Sequence, residues 1–507
     1  MAELTRLGVQ DALWLEMDRP NNLMVVDSVV WTAEPLDFDK VRAVVTERLI
    51  ERYPVFRSRA VKDDDGAWCW EPFADFDFDD HVRIVNLKKP SDPRSLQAVV
   101  AAHRTEMLDR NLPLWQAIWI RRYRKGSAMI LRTHHAIADG MRMVQLAMSL
   151  FDASPQGGPI LGPGVTQHAA QPHAPGQPLA RRVRAGAAEV ADTARAAVAG
   201  VPRMLQRAGE IGQLALRNPV GAGHTVIAGA WATGADVAAS LRGALPGGGA
   251  LVDVFSAAPG DVDTVRKLLL GTRNDATIWT GTAGDTKGVA WSEPVSLGKV
   301  KAVAKANGCT VNDVLVASVA GALHDYLTVH EARCASVTFM VPVNLKPLDL
   351  TLPETLGNEF ALVQLELPTD EPDARRVLAA AKRRMNRIKQ GHEAAVAFTL
   401  QGAIAGLSRG LYEASVDLFT NRTLGTLTNV PGPPIPVYLA GSRVEGIVGW
   451  APVSGDQPMS FTISSYNGTV IVGIACDTTL VPDHESIVDG FAGAFERLVD
   501  ATPDLPG

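Results

Sequence analysis

The chain has 507 residues, more than a single hydrophobic core usually organises, so two domains are expected. Its 49 Lys+Arg and 55 Asp+Glu give a net charge of −6 with no block of like charge, which argues against a nucleic-acid partner. The four cysteines have no CxxC spacing, so neither a zinc ribbon nor a disulfide framework is predicted. The N-terminus lacks the pattern of a signal peptide, and a cytoplasmic location is expected.

The first part of the chain, residues 1–153, predicts a domain that mixes strands and helices. In chain order we expect a strand at 25–33, a helix over 36–54 ended by Pro54, a helix at 94–109, strands in QAIWIRRYR and SAMILRTHH, and a helix at 140–151.

Residues 154–255 are rich in Ala, Gly, Pro, Arg and Gln, which predicts a partly helical connector on the surface. A basic amphipathic element that docks on a membrane is the alternative. Residues 256–507 predict a second mixed domain, with helices at 297–307, 312–327 and 372–391 and strands that include GTLTNVP, MSFTISSYNG and TVIVGIACD. Asn467 and Gly468 suit a hairpin turn. The predicted fold class is α/β (mixed α+β), in two halves joined by the connector.

The segment LRTHHAIADG, residues 131–140, concentrates the chemistry-bearing residues. Side chains alternate along a strand, so His134 and His135 face opposite sides. They cannot easily share one ion, and no third ligand has a familiar spacing, so no metal site is predicted.

Each residue of this motif has a candidate role. His135 suits a general base, because a neutral imidazole can take a proton from an attacking hydroxyl. His134 is interpreted as a ring that orients the turn, and Asp139 as the N-cap of the next helix. Gly140 is expected to relieve crowding where strand turns into helix.

His134, His135, Asp139 and Gly140 match the HHxxxDG motif of the superfamily that includes condensation domains and chloramphenicol-acetyltransferase-like folds. Further matches are Pro113-Leu114-Trp115, Asn312-Asp313, Gly357-Asn358, and the segment from Asn429 to Pro433 with Pro431 and Gly432. With VYLAG and SYNGTVIVGIACDTTLVPD, the chain resembles the bacterial wax ester synthase/diacylglycerol acyltransferase family from its opening LTRLGVQDALWLEM to its last helix.

The resemblance implies two chloramphenicol-acetyltransferase-like domains with the reactive histidine in a tunnel at their interface. His135 would deprotonate the hydroxyl of diacylglycerol or a long-chain alcohol, which attacks long-chain acyl-CoA directly. Acyl-CoA is then a substrate, and no cofactor and no cysteine nucleophile is needed. His134 would orient the motif and Asp139 would support it structurally. A position at the inner face of the plasma membrane or on lipid inclusions is compatible with these substrates.

Several matched residues also have a purely structural interpretation. Asn312 and Asp313 follow Thr310 at a helix start, where capping explains them, although the resemblance puts Asn312 near the active site. Asn429, Pro431 and Gly432 form a rigid turn or a wall of the tunnel or domain interface. Pro113, Leu114 and Trp115 either pack in the core or line the tunnel.

The sequence departs from the family at VPVNLKP, where relatives commonly carry Ser and Arg. The charge partner of Asp139 is therefore open, with Lys346 and Arg132 as candidates. Two other functions compete: a condensation-type or polyketide-associated acyltransferase that uses a carrier-bound acyl group, and a non-catalytic lipid-binding protein that retains the fold.

Overall fold

The computed structural model describes residues 4–158, 160, 277–344, 356, 358, 360–390 and 423–503. The predicted connector lies outside the described residues except for 154–158 and 160, and Lys346 and Gly357 lie outside them too. The described helices are α1 (Val9–Met17), α2 (Phe38–Val45), α3 (Pro93–His103), α4 (Gly140–Ser149), α5 (Leu297–Ala306), α6 (Val311–Val329), α7 (Ala374–Gln390) and α8 (Glu485–Asp500). The strands are β1 (Thr5–Arg6), β2 (Val25–Thr32), β3 (Ser58–Lys62), β4 (Trp68–Pro72), β5 (Val82–Asn86), β6 (Trp115–Tyr123), β7 (Gly126–His134), β8 (Lys287–Trp291), β9 (Val295–Ser296), β10 (Ser336–Asn344), β11 (Phe360–Pro368), β12 (Gly425–Pro431), β13 (Tyr438–Leu439), β14 (Ser442–Trp450), β15 (Met459–Tyr466) and β16 (Thr469–Asp477).

Two large sheets organise the described residues. The first has the order β13-β14-β2-β7-β6-β5, and the second has the order β11-β10-β12-β15-β16-β8 with β9 also paired to β16. In the first sheet β7 lies between β2 and β6 and is antiparallel to both, so the strand that ends at the two histidines has no open edge. The predicted mixture of strands and helices in two halves is therefore confirmed.

The hairpin of β15 and β16 has the turn that the sequence predicted. Tyr466 pairs with Thr469, and the two residues between them, Asn467 and Gly468, have φ angles of 44° and 80°. Positive φ at both central residues is the requirement of a two-residue turn between twisted antiparallel strands, and Asn and Gly tolerate it best.

A strand from the C-terminal half of the chain belongs to the N-terminal sheet. β14 pairs antiparallel with β2, from Val444 opposite Thr32 to Trp450 opposite Asp27. One hydrophobic cluster consequently draws on both halves, and in it Trp291 stacks with Trp31 at a centroid distance of 5.8 Å. The predicted domain ranges, 1–153 and 256–507, stay a prediction. The first sheet, however, contains strands from before and from after the predicted connector.

Two predicted helices are shorter than expected. The helix predicted over 36–54 is α helix only through Val45, continues as a π turn to Ile50, and Pro54 opens a separate 3-10 turn. The helix predicted at 94–109 ends at His103; Arg104 is its C-cap, and the Arg104 guanidinium pairs with the buried carboxylate of Asp27. Helix α1 and the small sheet β1-β4-β3 were not predicted.

Candidate active site

His135 lies just after β7 and is held through both its main chain and its ring. Its N–H donates to the carbonyl oxygen of Met24 at 2.8 Å. The imidazole stacks on the indole of Trp14 in α1, with ring centroids 4.0 Å apart, and the residue is only 5% exposed. Burial lowers the pKa of His135 to about 4, an effect that its own carbonyl group and Asn358 oppose. The ring is therefore neutral at pH 7 and able to accept a proton.

His134 contacts a different group of residues, as strand alternation predicted. Its Nδ1 accepts a hydrogen bond from the N–H of Ala136 at 3.1 Å, so in the neutral ring the proton lies on Nε2. Nε2 is 3.6 Å from Oδ2 of Asp18. Burial lowers the pKa of His134, and Asp18 opposes that shift. The ring thus braces the turn that carries His135 rather than sharing its surroundings.

Asp18 is itself fixed in this arrangement. Its Oδ1 accepts from the N–H of Met24 at 2.8 Å, and its Oδ2 accepts from Arg110 at 2.9 Å. Burial on its own would raise the pKa of Asp18, but its polar neighbours His134, Met24 and Arg110 bring it below its usual range. An ionised carboxylate therefore lies 3.6 Å from Nε2 of His134, at a distance for electrostatic attraction and not for a hydrogen bond.

Asp139 has the capping role that the sequence predicted. Its carboxylate accepts from the N–H of Arg142 at 2.8 Å at the start of α4. Of the two proposed charge partners, Lys346 lies outside the described residues. Arg132 uses its guanidinium on Asp27 at 3.2 Å, on Gln116 at 3.1 Å and on the carbonyl of Glu106 at 2.6 Å. The suggestion that Arg132 serves Asp139 is therefore wrong.

The predicted reason for Gly140 is also wrong. Gly140 is exposed, and apart from its chain neighbours and its own helix no atom of the described residues lies within 4 Å of the position that a Cβ would take. Its backbone is not in the left-handed region either. Among the described residues, therefore, glycine relieves no crowding at this position.

Two side chains remote in sequence complete the surroundings of His135. Asn358, just before β11, donates from Nδ2 to the carbonyl oxygen of His135 at 3.1 Å and to Oδ1 of Asp11 at 2.7 Å. Burial raises the pKa of Asp11, and the negative charge of Asp139 adds to that effect while Asn358 opposes it. Asp11, Trp14 and Asn358 therefore form one cluster with the motif.

The C-terminal site candidates fall into a capping pair and an amide pair. Thr310 and Asp313 form a reciprocal capping box at the start of α6, which confirms the capping interpretation of Asp313. Asn312 accepts at Oδ1 a hydrogen bond from Nδ2 of Asn429 at 2.9 Å. The structure thus brings together two residues that the sequence analysis singled out separately.

The remaining candidates support the frame of the site. The carbonyl oxygen of Leu114 accepts from the N–H of His134 at 3.0 Å, and the N–H of Trp115 donates to the carbonyl of Pro113 at 2.8 Å. The indole of Trp115 stacks on His81 at 4.4 Å and is 2% exposed, which is the packing of a core residue. A Cβ on Gly432 would lie 2.3 Å from the carbonyl oxygen of Ser465, so close strand pairing requires glycine there, while the adjacent Pro431 is exposed.

Two family models match this chain. A model of the wax ester synthase/diacylglycerol acyltransferase catalytic domain matches residues 7–233, and a model of the C-terminal domain of the same family matches residues 356–499. The chain belongs to the wax ester synthase/diacylglycerol acyltransferase family. It is an acyltransferase, and the non-catalytic alternative is set aside.

Relatives of this acyltransferase span nearly its whole length. A Mycobacterium tuberculosis H37Rv protein with the provisional name diacylglycerol O-acyltransferase is 25% identical over 534 residues, covering 100% of this chain and 92% of the relative. A second protein of that strain, named a probable diacylglycerol O-acyltransferase, is 24% identical and is covered to 82%, against 86% of this chain.

Solved structures share the fold of this acyltransferase. The wax ester synthase/diacylglycerol acyltransferase from Marinobacter aquaeolei VT8 has a TM-score of 0.62 at 19% identity, with 98% of this chain and 99% of that chain covered. The first condensation domain of the calcium-dependent antibiotic synthetase has a TM-score of 0.53 at 14% identity, with 99% and 97% covered. The predicted likeness to condensation-type folds is confirmed at the level of architecture.

Two kinds of feature are absent from the part of this acyltransferase that the structure describes. No three His, Cys, Asp or Glu side chains there lie together as metal ligands. No helix there is long and apolar enough to cross a membrane.

Sequence reasoning missed Asp11, Trp14 and Asn358 as site residues. Asn358 is 223 residues from His135, and Asp11 is 347 residues from Asn358, so no local spacing connects them. The one signal that could have found them was the family resemblance itself, because LTRLGVQDALWLEM and LGNEF were already among the matched segments.

Proposed function

We propose that the chain transfers a long-chain acyl group from acyl-CoA to the hydroxyl of diacylglycerol, with His135 as the general base. The observation that carries this proposal is the buried, neutral imidazole of His135, stacked on Trp14 at the start of the HHxxxDG motif. A neutral imidazole held in one position by a stacked indole suits proton transfer to and from bound substrates.

The reaction needs only this chain and its two substrates. His135 takes the proton of the acceptor hydroxyl, whose oxygen forms a bond to the thioester carbonyl carbon. The tetrahedral oxyanion then collapses, the carbon–sulfur bond breaks, and the imidazolium returns the proton to the departing CoA sulfur. No acyl-enzyme is formed. Burial raises the pKa of the thiols of Cys69, Cys309 and Cys476, which disfavours the thiolate that a cysteine nucleophile would need.

Neighbouring residues have supporting roles in this proposal. His134 orients the turn, Asp139 holds the start of α4, and the Asn312–Asn429 pair forms part of a wall beside the substrates. Diacylglycerol is favoured as acceptor by the names of the relatives, and long-chain alcohols are a second acceptor class that would give wax esters. Since both acceptors reside in lipid phases, the enzyme would work at the inner face of the plasma membrane or on lipid inclusions.

The test measures ester formation from radiolabelled acyl-CoA and diacylglycerol. His135→Ala should lower turnover by about 10²- to 10⁴-fold, the usual loss of a general base. His134→Ala should retain more activity, because it removes a brace and not the base. His330→Ala is the matched control, since His330 is exposed and paired with Asp483 at 2.8 Å, and it should remain fully active.

Three results would contradict the proposal. Unchanged turnover in correctly folded His135→Ala would mean that His135 is not the general base. A lower activity in His134→Ala than in His135→Ala would mean that His134 is the base and His135 the orienting residue. A preference for a carrier-bound acyl thioester over acyl-CoA in the same assay would favour the condensation-type alternative.

A further inference from the structure

Asn358 contributes both of its amide hydrogens to the surroundings of His135. One goes to the carbonyl oxygen of His135 at 3.1 Å and the other to Oδ1 of Asp11 at 2.7 Å. A main-chain carbonyl only accepts, so the bond to His135 requires the NH₂ group, and the orientation of the amide is determined. Asn358 is 8% exposed, which keeps water from competing for these bonds.

The peptide group that follows His135 is held at both ends. Its carbonyl oxygen accepts from Asn358, and its N–H, which belongs to Ala136, donates to Nδ1 of His134 at 3.1 Å. The N–H of His135 itself donates to Met24 at 2.8 Å. Main-chain torsion on both sides of the His135 Cα is therefore fixed by three hydrogen bonds, and the Trp14 stack fixes the ring.

We infer that Asn358 is a positioning residue that holds the His135 carbonyl, and through it the imidazole, in the geometry for proton transfer. This inference rests on the proposed role of His135 as the base. A displaced carbonyl would let the main chain rotate at the His135 Cα and carry the imidazole away from its stacked position on Trp14, so that its two ring nitrogens would meet different neighbours. The residue comes from the C-terminal half of the chain, so the base is complete only when that half is in place.

Asp11 holds Asn358 from the other side, and the pair allows two roles to be separated. Asn358→Leu keeps the approximate shape but removes both hydrogen bonds. Asp11→Asn keeps an acceptor oxygen for Asn358 and leaves the bond to His135 intact. The double exchange Asp11→Asn with Asn358→Asp restores a bond between the two side chains, with donor and acceptor reversed, but an ionised carboxylate at position 358 cannot donate to the His135 carbonyl.

The experiment compares these three variants with the unaltered chain at pH 8, measuring kcat, KM and thermal stability. Asn358→Leu and the double exchange should both lose about 10- to 100-fold in kcat, the scale of a reacting group misplaced by about 1 Å, with KM little changed. Asp11→Asn, which leaves the bond from Asn358 to His135 in place, should lose clearly less kcat than either of them. The ¹⁵N shifts of the His135 ring should report a single tautomer in the unaltered chain and in Asp11→Asn, and a mixture in the other two.

A double exchange as active as Asp11→Asn, with an unaltered His135 tautomer, would overturn the inference, because a purely structural link between residues 11 and 358 would then suffice. Equal thermal stability of the double exchange and Asp11→Asn ensures that a lost kcat is not a folding defect. His135→Ala is run beside them. If His135→Ala is inactive while Asn358→Leu is fully active, only the positioning role of Asn358 is contradicted. If His135→Ala is active, the proposed role of His135 as the general base is contradicted.

Discussion

Burial is the dominant influence on the individual residues of the site. His134 and His135 are 0% and 5% exposed, and burial is the largest cause of the lowered pKa of both. Burial raises the pKa of Asp11 instead, because a buried carboxyl group also prefers its neutral form, which for an acid is the protonated one. Desolvation is thus the main reason that both imidazoles are neutral and available as hydrogen-bond acceptors.

The depressed pKa of His135 makes protein stability depend on pH. The folded value of about 4 lies below the 6.5 of an ordinary histidine, so below pH 6.5 the unfolded chain binds the proton more readily. The contribution of the neutral ring is fully present above pH 6.5 and is lost as the pH falls toward 4, by about 3 kcal/mol in total. Urea denaturation at stepped pH should therefore give a flatter profile for His135→Gln.

His81, His103 and His134 have pKa values lowered in the same direction, and they are retained in the variant. The difference between the two profiles therefore isolates His135. Parallel profiles from pH 7 to 4 would contradict the buried, neutral state of this ring.

At the scale of elements, helix α6 begins where local sequence says it should. The side chain of Thr310 accepts from the N–H of Asp313 at 3.2 Å, and Asp313 accepts from the N–H of Thr310 at 2.8 Å. The helix is largely buried, so fraying of its first turn would expose apolar side chains. The cap therefore stabilises packing as well as the helix.

Replacing the capping side chain tests this element. Thr310→Ala should lower the free energy of unfolding by about 1 kcal/mol, because an N–H at the helix start loses its acceptor. Thr310→Ser retains the hydroxyl and should be close to the unaltered chain in the same urea titration. Equal stabilities of the Ala and Ser variants would mean that the capping box contributes nothing.

The elements that the sequence predicted are those whose signals are local. The Thr310-to-Asp313 spacing, the Asn467–Gly468 turn and the alternation through His134 and His135 lie within a few residues of the structure they determine. β14 was not predicted as a strand, since Gly446 and Gly449 interrupt its apolar alternation. Gly446 is needed there because a Cβ would lie 2.1 Å from the Trp31 ring.

At the scale of the whole molecule, the sequence predicted two halves but not how they share a sheet. Pairing of β14 with β2 joins residues more than 400 positions apart, and no pattern in either strand names its partner. The cluster of Asp11 and Asn358 with His135 escaped prediction for the same reason. Long-range contacts depend on the packing of complete elements, which spacing along the chain does not encode.

The tryptophans between the sheets should make the two halves unfold together. Trp291 stacks on Trp31 at 5.8 Å and lies 6.0 Å from Trp450, so it contacts strands from both parts of the chain. Trp291→Ala should cost about 3–5 kcal/mol, the usual loss for a buried aromatic residue, while Trp291→Phe should cost less. Far-ultraviolet circular dichroism and tryptophan fluorescence should report one coincident thermal transition in each variant. Two separated transitions would contradict the joint core.

The pairing of β14 with β2 also determines how this protein can be recombined with its relatives. A chimera cut in the connector would place β2 from one parent beside β14 from the other, and Trp31 would meet a foreign residue where Gly446 now leaves room for its ring. Grafts of substrate preference should therefore move residues 438–450 together with the N-terminal sheet. Recombination in this fold should therefore keep a whole sheet from one parent, even though its strands come from both halves of the chain.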